Sequence, residues 1–193
     1  PDGSQYNVHK HSNNKDSSTE PNFTRSQAIS KPSFWLLALF TALVFPVQAG
    51  ISLHQAPHLI ERGLSPAIAA SVVSCFYLIS GLSALLYGYT IRRLGVKANL
   101  AFTGSTLAFG IYLMLITNDT NLAFLAAILF GIGIGGILCI LPIVWADFFG
   151  RESFGSIRGI VLSVHFSSQA LGPLISGILR DMSNNYDLSL IHI

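Results

Sequence analysis

Residues 129–142 of this chain read LFGIGIGGILCILP. Within this stretch Gly131, Gly133 and Gly136 fit the spacing G-x-G-x-x-G, which is typical of a turn that binds a dinucleotide. Such a turn needs a strand before it, a helix after it and an acidic residue about 20 positions further on. Here the glycines lie in the middle of an apolar stretch from Leu122 to Trp145, and no strand or turn precedes them. The surroundings therefore argue against a nicotinamide or flavin enzyme.

The composition of the whole chain indicates a membrane protein. Its 193 residues are 51% hydrophobic and only 10% charged, and the mean hydropathy is +0.55. A soluble domain usually carries about 25% charged residues. The net charge of +2 is too small to indicate a nucleic-acid partner. Cys75 and Cys139 lie in apolar runs without metal-binding or redox spacing, so we expect neither a metal nor a cofactor.

From Phe34 onward the chain consists of long apolar stretches that are separated by short polar breaks. Each stretch has about 20 residues or more, enough for a helix to cross the ~30 Å hydrocarbon core of a bilayer. Because backbone groups in lipid must be satisfied within the segment, the stretches are predicted to be α-helices. The predicted helices cover residues 34–53, 66–89, 98–117, 122–145 and 157–179.

Lysine and arginine are distributed unequally between the two ends of these helices. Of the 11 basic residues, nine flank one set of helix ends, whereas Arg62 and Arg180 flank the other. The positive-inside rule places the side with nine basic residues, and the N-terminus, in the cytoplasm. Residues 1–32 are rich in Ser, Asn, Lys and His. They are predicted to be a disordered cytoplasmic segment, because they lack the apolar residues for a core.

Small residues recur at every fourth position in three of the predicted helices. They are Gly131, Gly135 and Cys139 in the fourth, Ser80, Ala84 and Gly88 in the second, and Ser168, Gly172 and Ser176 in the fifth. Such faces let another helix approach closely, so the glycines are interpreted as packing residues. Pro142 removes a backbone hydrogen bond and favours bending. These features suit a transporter that rocks between states, and they are equally compatible with plain helix packing.

Polar residues at membrane depth are the default functional candidates in such a chain. His165 and Gln169 are four positions apart and share one face of the fifth helix. Histidine titrates near neutral pH, so a substrate or proton site is predicted there, and an interhelical hydrogen bond that fixes packing is the alternative. Gln48, His54 and Tyr77 are further candidates for a cavity, each with a packing or interfacial alternative. Paired carboxylates and His/Asp clusters are absent at membrane depth, so an enzyme is not expected.

Four charged residues lie where the predicted fourth helix joins the fifth. Asp147, Arg151, Glu152 and Arg158 lie close together in the sequence at this junction. They could form a gate of ion pairs that breaks when the cytoplasmic mouth opens. The alternative is that they extend to the membrane interface and only mark it.

Three stretches between the predicted helices resemble segments of a known family. The first, GYTIRRLGVK at 88–97, resembles the cytoplasmic-loop signature of the major facilitator superfamily, with Arg92 in place of the family's aspartate. This match places Arg92, Arg93 and Lys97 in a cytoplasmic loop. The stretches HQAPHLIERG at 54–63 and ADFFGRESFGSIRG at 146–159 resemble the branch of monocarboxylate porters and oxalate/formate antiporters.

The resemblance implies an all-α integral membrane fold in which twelve helices form two six-helix halves. The five predicted helices would be the seventh to the eleventh, so residues 33–187 would form part of the C-terminal half. In this family the first, second, fourth and fifth helices of that half face the central cavity. The resemblance also implies a multi-pass protein of the plasma membrane, whose N-terminal half and twelfth helix lie outside this chain.

The function implied by the resemblance is secondary active transport of a small solute by alternating access. A monocarboxylate or another organic anion is the first candidate, with symport of a proton as one mode of coupling beside antiport and uniport. Many monocarboxylate porters carry an acidic and a basic residue in the eighth helix, and residues 66–89 contain no charge. An anion would therefore need His165 or a cation from the other half. The alternative is a non-transporting membrane subunit or receptor module.

The last six residues are interpreted as a non-native tail. One back-translation of LSLIHI at 188–193 matches a transposon end that is used to build sequencing libraries. The chain is therefore expected to be incomplete and not to transport alone, because alternating access needs two halves that rock about a site between them.

Overall fold

Residues 23–183, which the computed structural model describes, form five α-helices and no strand. They are α1 (Arg25–Ile29), α2 (Pro32–Glu61), α3 (Pro66–Ile116), α4 (Thr120–Phe149) and α5 (Phe154–Ser183). The predicted all-α fold class is confirmed. The disorder predicted for 1–22 and the non-native tail predicted for 188–193 lie outside the described residues.

Local sequence explains where the long helices begin and end. α3 and α4 begin at side-chain caps, because Ser65 accepts a hydrogen bond from the N–H of Ile68 and Asp119 accepts one from Leu122. α4 ends at Gly150, whose φ of 81° is a conformation that glycine adopts without a steric penalty. These signals fix the turns that separate α2, α3, α4 and α5.

Three helices of the described range, α2, α3 and α4, are long and apolar enough to cross a membrane. α3 has 51 residues and combines the second and third predicted stretches, so it is long enough for two crossings. α5 has 30 residues but is not among the three, and Arg158, His165 and Gln169 interrupt its apolar sequence. The chain is therefore a multi-pass membrane protein with one helix that is more polar than the others.

The two halves of α3 meet at Gly95, where φ is 76° and ψ is 166°. This region of backbone space is accessible essentially to glycine alone. The sequence predicts a loop at 88–97 between two helices, and the chain leaves the helix inside this range, but only at Gly95, with helical residues on both sides of it. We call the two halves α3a (66–94) and α3b (96–116).

α4 packs closely on α3a through two of its glycines. A Cβ atom on Gly131 would lie 2.9 Å from the carbonyl oxygen of Phe76. A Cβ atom on Gly135 would overlap the carbonyl oxygen of Ser80. Since a backbone carbonyl cannot move aside as a side chain can, these two positions require glycine.

The remaining glycines of the G-x-G-x-x-G run pack α4 on α3b. A Cβ atom on Gly133 would overlap the side chain of Leu107, and one on Gly136 would overlap the hydroxyl of Thr103. α4 thus lies between the two halves of α3, with glycines on both faces. The packing role predicted for this run is observed, and it involves two interfaces instead of one.

The small residues of α5 and α3a differ in what they do. A Cβ atom on Gly172 would overlap the carbonyl oxygen of Pro46 in α2, and Ser168 and Ser176 on either side are buried. α5 therefore approaches α2 as closely as α4 approaches α3. Gly88 is exposed and a Cβ atom there would meet nothing within 4 Å, so the packing role predicted for it is wrong.

The helices associate as two pairs, α3 with α4 and α2 with α5. One apolar cluster lies between α3 and α4, where the rings of Phe76 and Phe130 stack with centroids 5.1 Å apart. A second cluster joins the start of α2 to the end of α4 and the start of α5, and Phe34, Trp145 and Phe149 are buried in it. The two clusters connect the pairs into one bundle.

α1 contradicts the disorder predicted for the last part of 1–32. Thr24 caps this helix, and Gln27 completes a capping box with it. Ala28 is fully buried, and the backbone N–H of Phe23 donates to the carbonyl oxygen of Phe149 at 3.1 Å. The prediction failed because the segment's few apolar residues pack against a surface supplied by α4, which local composition does not reveal.

Candidate functional site

Polar side chains bridge α2 and α5 where the two helices cross. The amide Nε2 of Gln169 donates to Oε1 of Gln48 at 3.1 Å, and Nε2 of Gln48 donates to Oγ of Ser52 at 3.1 Å. The close approach of Gly172 to Pro46 brings the two backbones near enough for this bond. Gln48 and Gln169, which the sequence predicts as site residues, are thus in direct contact, and both are half-buried.

His165 lies one helical turn before Gln169 on α5. Its imidazole stacks on the ring of Phe45 in α2, with centroids 3.5 Å apart and an interplanar angle of 21°. The ring of Phe166 lies 5.0 Å away on the same helix. The imidazole therefore lies nearly parallel to both neighbouring rings.

A small hollow between α2, α4 and α5 adjoins His165. It has a volume of about 80 Å³, and we call it the basic hollow. Its wall is mostly apolar, and its polar or charged lining residues are Thr41, Trp145, Arg158 and His165. The residues that line it include no carboxylate, so Arg158 gives the hollow a positive character.

A larger hollow of about 440 Å³ lies between α2, α3b and α4. Its lining is apolar except for Gln48 and Thr103. The sequence predicts that Gln48, His165 and Gln169 face one cavity. The structure instead places Gln48 beside the larger hollow and His165 beside the basic hollow, while the Gln48–Gln169 bond lies at the crossing of α2 with α5.

The other two cavity candidates occupy different surroundings. Nε2 of His54 lies 3.3 Å from the carbonyl oxygen of Pro173, so His54 forms a second polar contact between α2 and α5. Tyr77 is 54% exposed on α3a and lies beside Phe76, away from the α2–α5 crossing. The structure therefore groups His54 with the polar α2–α5 interface and leaves Tyr77 outside it.

The basic residues predicted in the cytoplasmic loop lie on both sides of Gly95. Arg92, Arg93 and Lys97 are exposed. The guanidinium of Arg93 lies over the ring of Tyr89 at 5.6 Å. Because the segment is helical, the three cations project from helical turns on both sides of Gly95 instead of from a loop.

The charges at the α4–α5 turn are not paired with one another. Within residues 23–183 no ion pair joins Asp147, Arg151, Glu152 or Arg158 to a charged side chain. Asp147 and Arg151 are exposed, whereas Arg158 is half-buried against the ring of Phe154. The predicted gate of ion pairs is therefore not formed in this structure.

Sequence reasoning missed a buried donor in Trp145, a residue that lines the basic hollow. Trp145 is 3% exposed, and its indole Nε1 has no hydrogen-bond partner among the described residues. It lies one heptad after Leu138, which also lines the hollow, in a helix that the sequence shows as uniformly apolar. A tryptophan at a membrane interface is so common that its position alone gives no signal of a site.

Sequence reasoning also missed two buried polar residues near the far end of α2. His58 is 1% exposed, and its Nε2 lies 3.0 Å from the carbonyl oxygen of Met114 in α3b. Gln55 is fully buried one turn earlier. Their i, i+3 spacing in HQAPH was the available signal, since it places both on one face of a helix. The His58 contact ties α2 to α3b, as expected for a packing residue.

Comparison of the sequence with known proteins identifies the family that this chain matches. A family model described as Major Facilitator Superfamily matches residues 32–184. Monocarboxylate transporter 10 of Danio rerio is similar to this chain, with 25% identity over 139 residues. The match covers 70% of this chain and 28% of that relative. The chain thus spans well under half the length of the curated relative that it matches.

Proposed function

Since this chain belongs to the Major Facilitator Superfamily, a family of transporters, we propose that it forms part of a secondary active transporter that moves a small solute by alternating access. The observation that supports this proposal is the polar interface between α2 and α5. Gln48, Gln169, His165 and His54 lie along a crossing of two helices in an otherwise apolar bundle. Polar groups at membrane depth are costly and mark solute paths.

We propose an organic anion, with a monocarboxylate as the first candidate, as the solute. The similarity to monocarboxylate transporter 10 supports this class. The positive character of the basic hollow also favours an anion over a cation. α3a, which corresponds to the eighth helix of the family, carries no charge before Arg92, so we propose Arg158 of α5, which lines the basic hollow beside His165, as the cation that this chain offers to an anion.

We propose His165 as the group that couples transport to a proton. Its ring borders the basic hollow, and histidine is the side chain whose charge changes between about pH 5 and 8. The stacking of His165 on Phe45 would allow the imidazole to accept or release a proton without a change of rotamer.

We further propose that a second six-helix half and a twelfth helix complete the transport path. Alternating access requires two bundles that rock about a site between them. The match to only 28% of the relative supports a longer functional unit. We propose the plasma membrane as its location, and the distribution of lysine and arginine supports an orientation in which the α4–α5 turn and the N-terminal end of α2 face the cytoplasm.

The proposal is tested by uptake of labelled acetate, lactate and pyruvate into proteoliposomes that contain the complete protein. We expect a pH gradient, acidic outside, to drive uptake. The variant Gln169→Leu should lose most of this uptake, and His165→Ala should lose its pH dependence between about pH 5 and 8. Ser163→Ala serves as the control, because Ser163 is exposed on α5 and bonds only within its own helix.

Two results would contradict the proposal. If none of the three anions enters above the level of protein-free liposomes, the protein is not a transporter of this class. If His165→Ala leaves the pH profile of uptake unchanged, His165 is a packing residue and the proton, if coupled, uses another group.

A further inference from the structure

We infer that the turn between α3a and α3b is a binding site for an anionic phospholipid. The phosphate group of the lipid contacts Arg92, Arg93 and Lys97, and one acyl chain lies in a hollow between the two helices. The inference goes beyond the proposed function, because it assigns a lipid of the membrane to this surface and does not depend on transport of a solute.

The first observation is a hollow of about 360 Å³ between α3a and α3b, with Ile132 of α4 also in its lining. We call it the α3 hollow. Leu86, Leu94 and Phe102 line it and are exposed, so it opens to the surroundings of the bundle. An open apolar surface of this kind marks a contact with lipid or with another protein segment.

The polar residues in the lining of the α3 hollow are occupied or inaccessible. The hydroxyl of Thr90 donates to Oδ1 of Asn99 at 2.7 Å, and Nδ2 of Asn99 donates to the carbonyl oxygen of Gly95 at 2.7 Å. Ser83 and Tyr87 are buried, and the hydroxyl of Tyr87 has no surface left for a ligand. The inside of the hollow therefore suits a hydrocarbon chain.

The depth of the α3 hollow matches one leaflet of a bilayer. Its lining residues on α3a run from Ser83 to Leu94, which is about 16 Å along a helix. This length is about half of the ~30 Å hydrocarbon core. The apolar sequence of α3a ends at Arg92 and that of α3b begins at Ala98, so the turn between them lies at the membrane surface. The hollow thus extends from the surface to about the depth that an acyl chain reaches.

The second observation is the group of cations beside the surface end of the hollow. Arg92 and Arg93 directly precede Leu94, and Lys97 directly precedes Ala98, and Leu94 and Ala98 both line the hollow. All three cations are exposed and have no ion-pair partner among the residues that the structure describes. The 51 residues of α3 include no Asp or Glu. The end of the hollow is therefore complementary to a phosphate group.

This charge favours a lipid over a protein segment as the occupant. A helix that covered the α3 hollow would place its own end beside three cations and would need acidic residues there. The anionic lipids of a membrane surface supply the negative charge, and each nearby Lys or Arg strengthens such binding about fivefold. Arg92 adds to this attraction, whereas the aspartate of the family signature would oppose it.

The site is tested by native mass spectrometry of the complete protein. The protein is incubated in detergent with equal amounts of dioleoylphosphatidylglycerol and dioleoylphosphatidylcholine, which have the same acyl chains and differ in the net charge of the headgroup. We expect the wild-type protein to retain phosphatidylglycerol at least about fivefold more often than phosphatidylcholine.

Replacement of the three cations together by glutamine tests the headgroup contact. This triple variant should retain the two lipids about equally, because the attraction to the negative headgroup is removed. The control variant replaces three exposed cations of other elements and turns in the same way, so its net charge is identical. They are Arg25, Lys31 and Arg151. The control should keep the preference of the wild-type protein.

A second substitution tests the acyl-chain contact without a change of charge. Ala98 is exposed and lines the α3 hollow, so Ala98→Trp fills part of it and should lower the retention of phosphatidylglycerol. Ala101→Trp is the matched control, because Ala101 is exposed on the same helix and does not line the hollow. If Ala98→Trp does not fold, Ala98→Leu should give a smaller loss in the same direction.

Four results would overturn the inference. They are equal retention of the two lipids by the wild-type protein, an unchanged preference after loss of the three cations, an equal loss in the two triple variants, and unchanged retention in Ala98→Trp. The third result would show that retention follows net charge alone. The fourth would show that another part of the protein or a second copy covers the hollow.

Discussion

The two helix pairs of this bundle are held together in opposite ways. α3 and α4 meet through glycines that sit against backbone and side-chain atoms, with apolar residues such as Phe76 and Phe130 between them. α2 and α5 meet at one glycine, Gly172, and at an apolar cluster near the start of each helix, and polar contacts that include the Gln48–Gln169 bond join them in between. The first pair depends on shape and the second on a few hydrogen bonds.

Because of this difference, we expect the α3–α4 pair to be rigid and the α2–α5 pair to be adjustable. In lipid, helix association depends on close van der Waals packing, and an interface that is complementary over many residues has one good arrangement. A pair that is joined by a few hydrogen bonds can exchange those partners for a solute or for water at little net cost. We therefore expect α3 and α4 to move as a unit and the α2–α5 interface to change during transport.

The largest effect should come from a side chain placed between α4 and α3a. Gly135→Leu would force atoms into the carbonyl oxygen of Ser80, and the expected cost exceeds about 3 kcal/mol because backbone must move. The measurement is the yield of monodisperse protein after detergent extraction. Gly88→Leu is the control, since a Cβ at Gly88 meets nothing within 4 Å. Normal yield for Gly135→Leu would show that the α3–α4 pair is not rigid.

The turn at Gly95 should be the next most sensitive position. Gly95→Ala would place a Cβ on a residue with φ of 76° and ψ of 166°, at a cost of about 1 to 3 kcal/mol. The thermal midpoint of the detergent-solubilised protein should fall accordingly. Gly104→Ala provides the comparison, because Gly104 is helical and has open space around it, so its midpoint should stay or rise slightly. Equal midpoints would contradict the strained turn.

The Gln48–Gln169 bond should matter more for transport than for stability. Gln48→Leu or Gln169→Leu alone leaves a half-buried amide without its partner and should cost about 1 to 2 kcal/mol. The double variant should recover most of that stability, because neither amide remains. Uptake should be lost in all three variants. A double variant that transports normally would show that the bond is only a packing contact.

The smallest effect should come from the ion pair at the far end of α2 and α5. Nη2 of Arg180 lies 3.1 Å from Oε1 of Glu61, and their side chains are 41% and 35% exposed. Pairs of this exposure contribute about 0 to 1 kcal/mol. Glu61→Gln should therefore shift the thermal midpoint slightly, and only at low salt. Glu152→Gln, at an exposed residue without an ion pair among the described residues, should give no shift.

The sequence was sufficient to predict the elements whose cause is local. Long apolar runs and the short polar breaks between them predict the helices and most of their turns. The turn at Gly95 was predicted too long, because only one residue leaves the helix and the polar sequence around it looks like a loop. α1 was missed because its stability comes from contact with Phe149, which is distant in the sequence.

For the candidate site too, features with a local cause could be predicted from the sequence, and features that depend on distant residues could not. Gln48, His165 and Gln169 were predicted because polar residues stand out in an apolar sequence. The contact between Gln48 and Gln169 could be anticipated, but the separation of Gln48 and His165 into two hollows depends on the rotation of each helix about its axis. The unpartnered state of Trp145 could not be predicted, because it depends on which atoms its neighbours present in three dimensions.

The hydrogen bond between Phe23 and Phe149 ties the chain at the start of α1 to the end of α4. The backbone hydrogen bond and the edge-to-face contact of the two rings, 6.0 Å apart, fasten the chain before α2 to the end of α4. A force on the chain ahead of Phe23 would therefore act first on Phe149 and, through its stacked ring, on Trp145. Only then would it act on the start of α2. Because Phe149 and Trp145 both belong to α4, tension in the chain ahead of α1 would act on the cytoplasm-facing end of that helix and on the wall of the basic hollow.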